Sequence, residues 1–87
     1  MYVIITYDVS EKRVNKVCKK LKKYFYWSQN SVFEGEITEG KLLKCIEELK
    51  RIIDQKSDSI YVYKIKITSM LEKQTVGVEK IMEDKFI

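Results

Sequence analysis

The chain has 87 residues, and its 17 basic and 13 acidic residues give a net charge of +4. A chain of this length forms one small domain with a limited core, so we expect it to form a dimer. It contains no histidine, which excludes Ser-His-Asp and Cys-His hydrolysis and every histidine-ligated zinc site. Its three glycines are isolated, so the sequence lacks a Gly-rich phosphate-binding loop. An enzyme of this composition would depend on carboxylates, hydroxyls, lysines and a metal ion that prefers oxygen ligands.

The first predicted elements are a strand over 2–8 and a helix over 11–25. Both sides of the strand are largely apolar, which is typical of a central strand in a sheet. Ser10 is suited to cap the helix that follows. Apolar residues at helical spacing predict one buried side of this helix. They are Val14, Val17, Cys18, Leu21, Tyr24 and Phe25.

The same helix has a strongly basic opposite side. Seven basic residues and a single acid, Glu11, lie within 11–23. This imbalance predicts non-specific contact with a nucleic-acid backbone, and an ordinary solvated helix face is the alternative. The predicted contact residues are Lys12, Arg13, Lys16, Lys19, Lys20 and Lys23.

The remaining pattern predicts two short strands within 26–37, a helix over 40–54 and a strand over 59–68. Gly35 indicates a bulge or turn, and Thr38 is suited to cap the second helix. Leu42, Ile46, Leu49 and Ile53 form that helix's apolar stripe, which Leu43 and Ile52 widen. Cys18 and Cys45 are expected to be buried and unpaired. Without a signal peptide or a span of membrane length, we expect a cytoplasmic protein.

The β-α-β-β-α-β order is that of an α+β, ferredoxin-like sandwich with both helices on one face of the sheet. We expect a single domain over 1–87, with a core over about 1–68 and a tail over 69–87. Val76, Gly77 and Val78 indicate a short extra strand in that tail.

Asp8 is the strongest candidate for chemistry, because it is a carboxylate at the end of a central strand just before a helix. It could bind Mg²⁺, and a turn or capping role is the alternative. One carboxylate holds Mg²⁺ poorly, but two Asp8 side chains could share a metal across a dimer axis. The aromatic residues of the strands, Tyr7, Phe33, Tyr61 and Tyr63, could stack on bases or could pack in the core or dimer interface.

Three segments together resemble one family. They are Tyr7-Asp8-Val9-Ser10, the segment 29–36 (Gln-Asn-Ser-Val-Phe-Glu-Gly-Glu) and the segment 58–63 (Asp-Ser-Ile-Tyr-Val-Tyr). With the chain length and element order, they make the sequence similar to the small CRISPR-associated adaptation protein, also described as CRISPR-associated endoribonuclease.

The resemblance implies a ferredoxin-like homodimer in which a strand near 76–81 packs on the partner's sheet. It also implies cooperation with the CRISPR-associated integrase during spacer insertion. It further implies Mg²⁺-dependent cleavage of single-stranded RNA or duplex DNA. The family's metal-binding, catalytic aspartate matches Asp8, and Tyr7, Ser31 and Phe33 match residues that support it. The first helix carries lysines where many members have arginines, and lysine lacks the bidentate phosphate fork. A non-catalytic scaffold that binds duplex DNA is therefore the alternative function.

Overall fold

A computed structural model describes residues 1–66 and 74–77. Its elements are β1 (Tyr2–Asp8), α1 (Glu11–Leu21), β2 (Tyr26–Gln29), β3 (Val32–Glu36), α2 (Glu39–Lys50) and β4 (Ser59–Ile65). This is the predicted β-α-β-β-α-β order. The predicted strand over 59–68 extends beyond Lys66, and most of the predicted strand near 76–81 follows Gly77. Those portions lie outside the described residues.

The four strands form one antiparallel sheet in the order β2-β3-β1-β4. β1 lies between β3 and β4, which confirms the central position that its two apolar sides predicted. Ile5 is paired with Phe33 on β3 and with Val62 on β4, so the three side chains share one face of the sheet. This topology is that of the ferredoxin-like sandwich.

The core lies between that face of the sheet and the two helices. Val3, Ile5 and Phe33 are completely buried beneath helix residues such as Val17 and Leu21. Cys18 and Cys45 are buried and free, as predicted. The remaining buried hydrophobic residues are Phe25, Ile37, Leu42 and Leu49.

Both predicted helix caps are present. The Ser10 side chain accepts a hydrogen bond from the Lys12 backbone N–H, and Thr38 accepts one from Lys41. Each cap satisfies a backbone donor that the first helical turn leaves without an intrahelical partner.

α1 ends at Leu21, four residues before the predicted end. The Lys23 and Tyr24 backbone N–H groups bond to carbonyls three residues earlier, at 3.1 and 3.0 Å. This tighter turn ends the regular helix and directs Phe25 into the core before β2 begins. The apolar spacing predicted the burial of Phe25 correctly but placed it inside the helix.

Two further expectations were wrong. Gly35 lies in a continuous ladder, paired with Val3, and the sheet's irregularity is between Trp27 and Gln29 on β2. At Gly35 an added Cβ would lie 3.5 Å from the ring of Phe25, which is an ordinary contact distance, so neither a bulge nor a steric clash requires glycine here. Leu43 is 62% exposed and does not widen the apolar stripe of α2.

Among the described residues, no helix has both the length and the apolar character needed to cross a membrane.

Candidate carboxylate site and basic face

Asp8 is the last residue of β1, and its side chain is exposed. It is paired with Ser59, the first residue of β4. On the other side of β1, the Tyr7 backbone N–H donates to the Ser31 carbonyl at 3.2 Å. Three chain segments that are distant in sequence therefore meet at one end of the sheet, with the Asp8 carboxylate open to solvent.

Tyr7 and Phe33, which were predicted to support Asp8, have their rings in the core beneath this end of the sheet. The Tyr7 hydroxyl lies 3.0 Å from Cys18 Sγ, and its ring centroid is 6.2 Å from that of Phe33. Burial, followed by the contact with Cys18, raises the pKa of Tyr7, so its hydroxyl stays protonated at neutral pH. These residues hold the strand end in place through packing, while the neighbouring Ser31 is exposed.

A second carboxylate, the first residue of the segment 58–63 and not one of the predicted site residues, is central to this end of the molecule. Asp58 has a side chain only 1% exposed, and it accepts bonds from the Arg13 Nε and Nη2 groups at 2.6 and 3.2 Å. It also accepts from the backbone N–H groups of Ser10 and Asp54. The Arg13 guanidinium, with these amides, lowers the pKa of Asp58 well below its usual range. The available sequence signal was Arg13 itself, the single arginine among six lysines within 11–23.

The basic side of α1 is smaller than predicted. Lys12, Lys16, Lys19 and Lys23 are exposed. Arg13, one of the predicted nucleic-acid contacts, is engaged with Asp58 and is not free on this side. Lys20 was also predicted there, but its Nζ lies 3.4 Å from the Glu48 carboxylate, which also accepts a hydrogen bond from Tyr24. Each of these two cations is paired with a carboxylate from another part of the chain, so it contributes to the fold and is not free on the surface.

The four exposed lysines lie on one side of α1 and its following turn. We call them the lysine row. None of the four forms an ion pair with a carboxylate of the described residues. Their spacings of four, three and four residues are those of neighbours on one helix surface. At 1.5 Å per residue, Lys12 and Lys19 begin about 10 Å apart along the helix axis. The lysine row is therefore a narrow cationic track.

The donor groups at Asp8 are those of a hard cation site with few protein ligands. Among residues 1–66 and 74–77, no three acidic or cysteine side chains form a cluster that could enclose a metal ion. Mg²⁺, however, commonly retains several waters and binds one or two carboxylates together with substrate phosphate oxygens. The exposed Asp8 carboxylate fits that mode of binding, whereas a closed protein cage does not form around it.

The sheet face opposite the helices is rich in tyrosine. Tyr61 and Tyr63 of β4 are 52% and 55% exposed, and they lie beside Thr6 and Ile4 of β1. On the same face, Tyr2 donates to the Glu34 carboxylate and bonds to the Tyr26 hydroxyl at 3.0 Å. Burial raises the pKa of Tyr2, with the Glu34 carboxylate adding to the effect, so the Tyr2 hydroxyl stays protonated at neutral pH. We call this surface the open face; it is rich in tyrosine and also carries the carboxylates of Asp8, Glu34 and Glu36.

Comparison with known proteins places these features in a family. The family profile described as CRISPR associated protein Cas2 matches residues 1–73. The chain is 60% identical over 79 residues to the CRISPR-associated endoribonuclease Cas2 3 of Thermodesulfovibrio yellowstonii, covering 91% of this chain and 90% of that protein. It is 49% identical over 80 residues to the CRISPR-associated endoribonuclease Cas2 of Pyrococcus furiosus, covering 92% of each chain.

A solved structure agrees with this result. It is described as the crystal structure of cas2, and it superposes with a TM-score of 0.77 at 42% identity. The match covers 100% of this chain and 98% of that one. The fold, the segments around Asp8 and the full-length similarity have the same explanation: the chain belongs to the CRISPR-associated Cas2 family.

Proposed function

We propose that this protein is a CRISPR adaptation factor that binds the nucleic-acid backbone through α1 and acts with the CRISPR-associated integrase in spacer insertion. The observation that carries the proposal is the lysine row, four exposed cations on one side of α1 and its following turn, whereas Arg13 and Lys20 are engaged with carboxylates of the same protein. Lysine contacts phosphate as a point charge, so the track favours binding without base specificity.

The functional unit of this proposal is a homodimer joined through the open face. Tyr61 and Tyr63 expose a contiguous aromatic surface that no helix of the described residues covers. Rings that are half exposed in one copy gain apolar burial when a second copy packs against them. A two-fold axis near the end of the sheet would bring two Asp8 carboxylates towards one another.

The proposed activity is Mg²⁺-dependent phosphodiester hydrolysis that requires Asp8. Bound Mg²⁺ would polarise the phosphodiester and lower the pKa of an attacking water. The protein would contribute an Asp8 carboxylate from each protomer as metal ligands, while the lysine row holds the flanking phosphates. The relatives named as endoribonucleases support phosphodiester cleavage as the class of activity.

A non-catalytic scaffold is the second candidate, and one observation favours it. One acid that the fold brings close to Asp8 is Asp58, which is buried and fully engaged with Arg13 and backbone amides. Asp58 therefore cannot act as a general base towards a water on the surface. A protomer in which Asp58 is withheld from the reaction in this way can hold a duplex without cutting it.

The decisive experiment compares the wild-type protein with Asp8→Asn on single-stranded RNA and on duplex DNA, each with Mg²⁺ or with EDTA. The nuclease hypothesis expects cleavage with Mg²⁺ alone, abolished in Asp8→Asn while duplex binding is retained. Cleavage that survives the substitution would refute the assignment of Asp8.

The scaffold hypothesis expects the opposite dependence. Spacer acquisition should tolerate Asp8→Asn but fail when Lys16 and Lys19 are both replaced by glutamate. Loss of acquisition with Asp8→Asn alone, in a folded dimer, would contradict a purely structural role. Analytical ultracentrifugation of each variant provides the control for assembly.

A further inference from the structure

The Asp58 carboxylate is bonded to capacity. Its Oδ1 accepts from the Ser10 N–H at 3.0 Å and from Arg13 Nη2 at 3.2 Å. Its Oδ2 accepts from Arg13 Nε at 2.6 Å and from the Asp54 N–H at 2.9 Å. Burying a carboxylate is costly unless charge and hydrogen bonds compensate, and here four donors supply both. We call Asp58 and its three partner residues the Asp58 clasp.

The clasp closes just beyond the last paired residues of β1 and β4. Asp58 directly precedes Ser59, which is the partner of Asp8 in the ladder. Ser10 follows Asp8 by two residues, and its N–H is one of the clasp's donors. The carboxylate thus joins the ends of β1 and β4 at the point where the sheet's own hydrogen bonds stop, and it limits fraying of the strand end that carries Asp8.

The clasp also fixes the start of α1. Ser10 is the N-cap of α1, and Arg13 lies in its first turn. Both residues are bonded to the same carboxylate, which itself is anchored to the Asp54 backbone. The direction in which α1 leaves the sheet, and with it the course of the lysine row, is therefore fixed relative to Asp8.

We propose that Asp58 is a positioning residue that acts through Ser10 and Arg13 to hold Asp8 and the lysine row in one fixed relation. With a side chain 1% exposed, it does not touch nucleic acid itself. This inference rests on the proposed function, because it assumes that a strand held by the lysine row is presented to Asp8. It reassigns Arg13 from a nucleic-acid contact to part of this support.

The test uses Asp58→Asn in the full-length protein, with Glu48→Gln as the matched control. Glu48 is also a carboxylate that receives bonds from two side chains of the α1 region, Lys20 and Tyr24, but it lies between the helices rather than at Asp8. Arg13→Lys is the conservative variant, since it keeps the positive charge and removes the bidentate hydrogen bonding to the Asp58 carboxylate.

The first readout is amide hydrogen exchange, which does not depend on activity. In Asp58→Asn we expect the Ser10 N–H to exchange about tenfold faster or more, because the end of β1 opens locally when its hydrogen bond to residue 58 is weakened. The Ile5 N–H, in the middle of β1, should exchange at an unchanged rate. Glu48→Gln should leave Ser10 unchanged. If exchange at Ser10 is the same in Asp58→Asn as in the wild type, the clasp does not hold the strand end and the inference is wrong.

The second readout compares cleavage with duplex binding. A misplacement of about 1 Å can cost about 100-fold in rate, so Asp58→Asn should lose cleavage to that extent. Duplex affinity should remain within about twofold, because the lysine row itself keeps its charges. Arg13→Lys should retain part of the rate, and Glu48→Gln should retain all of it. Equal losses in Asp58→Asn and Glu48→Gln would show general destabilisation and refute positioning.

The two proposals fail in different ways. If the wild-type protein binds duplexes but never cleaves, the nuclease hypothesis fails, and the exchange at Ser10 still decides whether the clasp holds the Asp8 strand end. If the wild type cleaves and Asp58→Asn cleaves equally well, the nuclease hypothesis stands and the positioning role is overturned. If Asp58→Asn does not fold, Arg13→Lys carries the same comparison.

Discussion

The lysine row predicts how binding should depend on salt. Replacing Lys16 and Lys19 with glutamine removes two exposed charges that lie next to each other on α1, without disturbing an ion pair of the described residues. Each phosphate that the protein no longer neutralises should reduce the slope of log K against log salt by about 0.9 for duplex DNA and about 0.7 for a single strand. The expected change is therefore about 1.8 on a duplex and about 1.4 on a single strand for each α1 that binds.

These slopes translate into easily measured affinities. With all four lysines of one α1 bound to phosphates, raising salt from about 50 to about 200 mM should weaken duplex binding about 150-fold. With Lys16 and Lys19 replaced, the same change in salt should weaken it about 12-fold. Fluorescence anisotropy of labelled duplex and single-stranded oligonucleotides across this range gives both slopes and shows which substrate engages more charges.

The matched control is the replacement of Lys41 and Lys44 with glutamine. These lysines are also exposed and three residues apart, but they lie on α2. The net charge changes equally in the two double variants, so a difference between them reports the location of the binding surface and not the total charge. An unchanged slope in the α1 variant, or an equal reduction in the α2 control, would refute the lysine row as the binding surface.

Three further predictions concern stability. Phe33→Ala should lower the free energy of unfolding by about 3–5 kcal/mol in urea titrations, because its ring is fully buried; a decrease below about 1 kcal/mol would be inconsistent with its place in the core. Gly35→Ala should change that free energy by no more than about 1 kcal/mol, since the new methyl group meets Phe25 at 3.5 Å, and severe destabilisation would disprove this spacing. The pKa of Asp58 is lowered in the folded state, so its contribution is present above its ordinary value of 3.8 and is lost as pH falls below that value. Below pH 3.8 the free energy of unfolding should accordingly fall less steeply with decreasing pH in Asp58→Asn than in the wild type, and identical curves would contradict a lowered pKa of Asp58.

Local patterns in the sequence were sufficient for the elements and for most of the core. The 3.6-residue spacing along α1 places Val17 in the core because that helix has one apolar side, and the two apolar sides of β1 give it a central position in the sheet. Ser10 and Thr38 mark helix starts for an equally local reason, since a cap bonds to backbone within its own helix. The place of Asp8 at the end of β1 likewise followed from the strand's length.

Tertiary structure decided which charges remain free. Arg13 and Lys20 belong to the same basic run as Lys16, but Arg13 faces Asp58, 45 residues away, and Lys20 faces Glu48. Helical spacing shows which side of a helix a residue occupies and contains no information on the carboxylate that another element brings to it. Asp58 was missed for the same reason: a polar residue in a loop is expected to be solvated, and its burial depends on donors that only the assembled fold brings together.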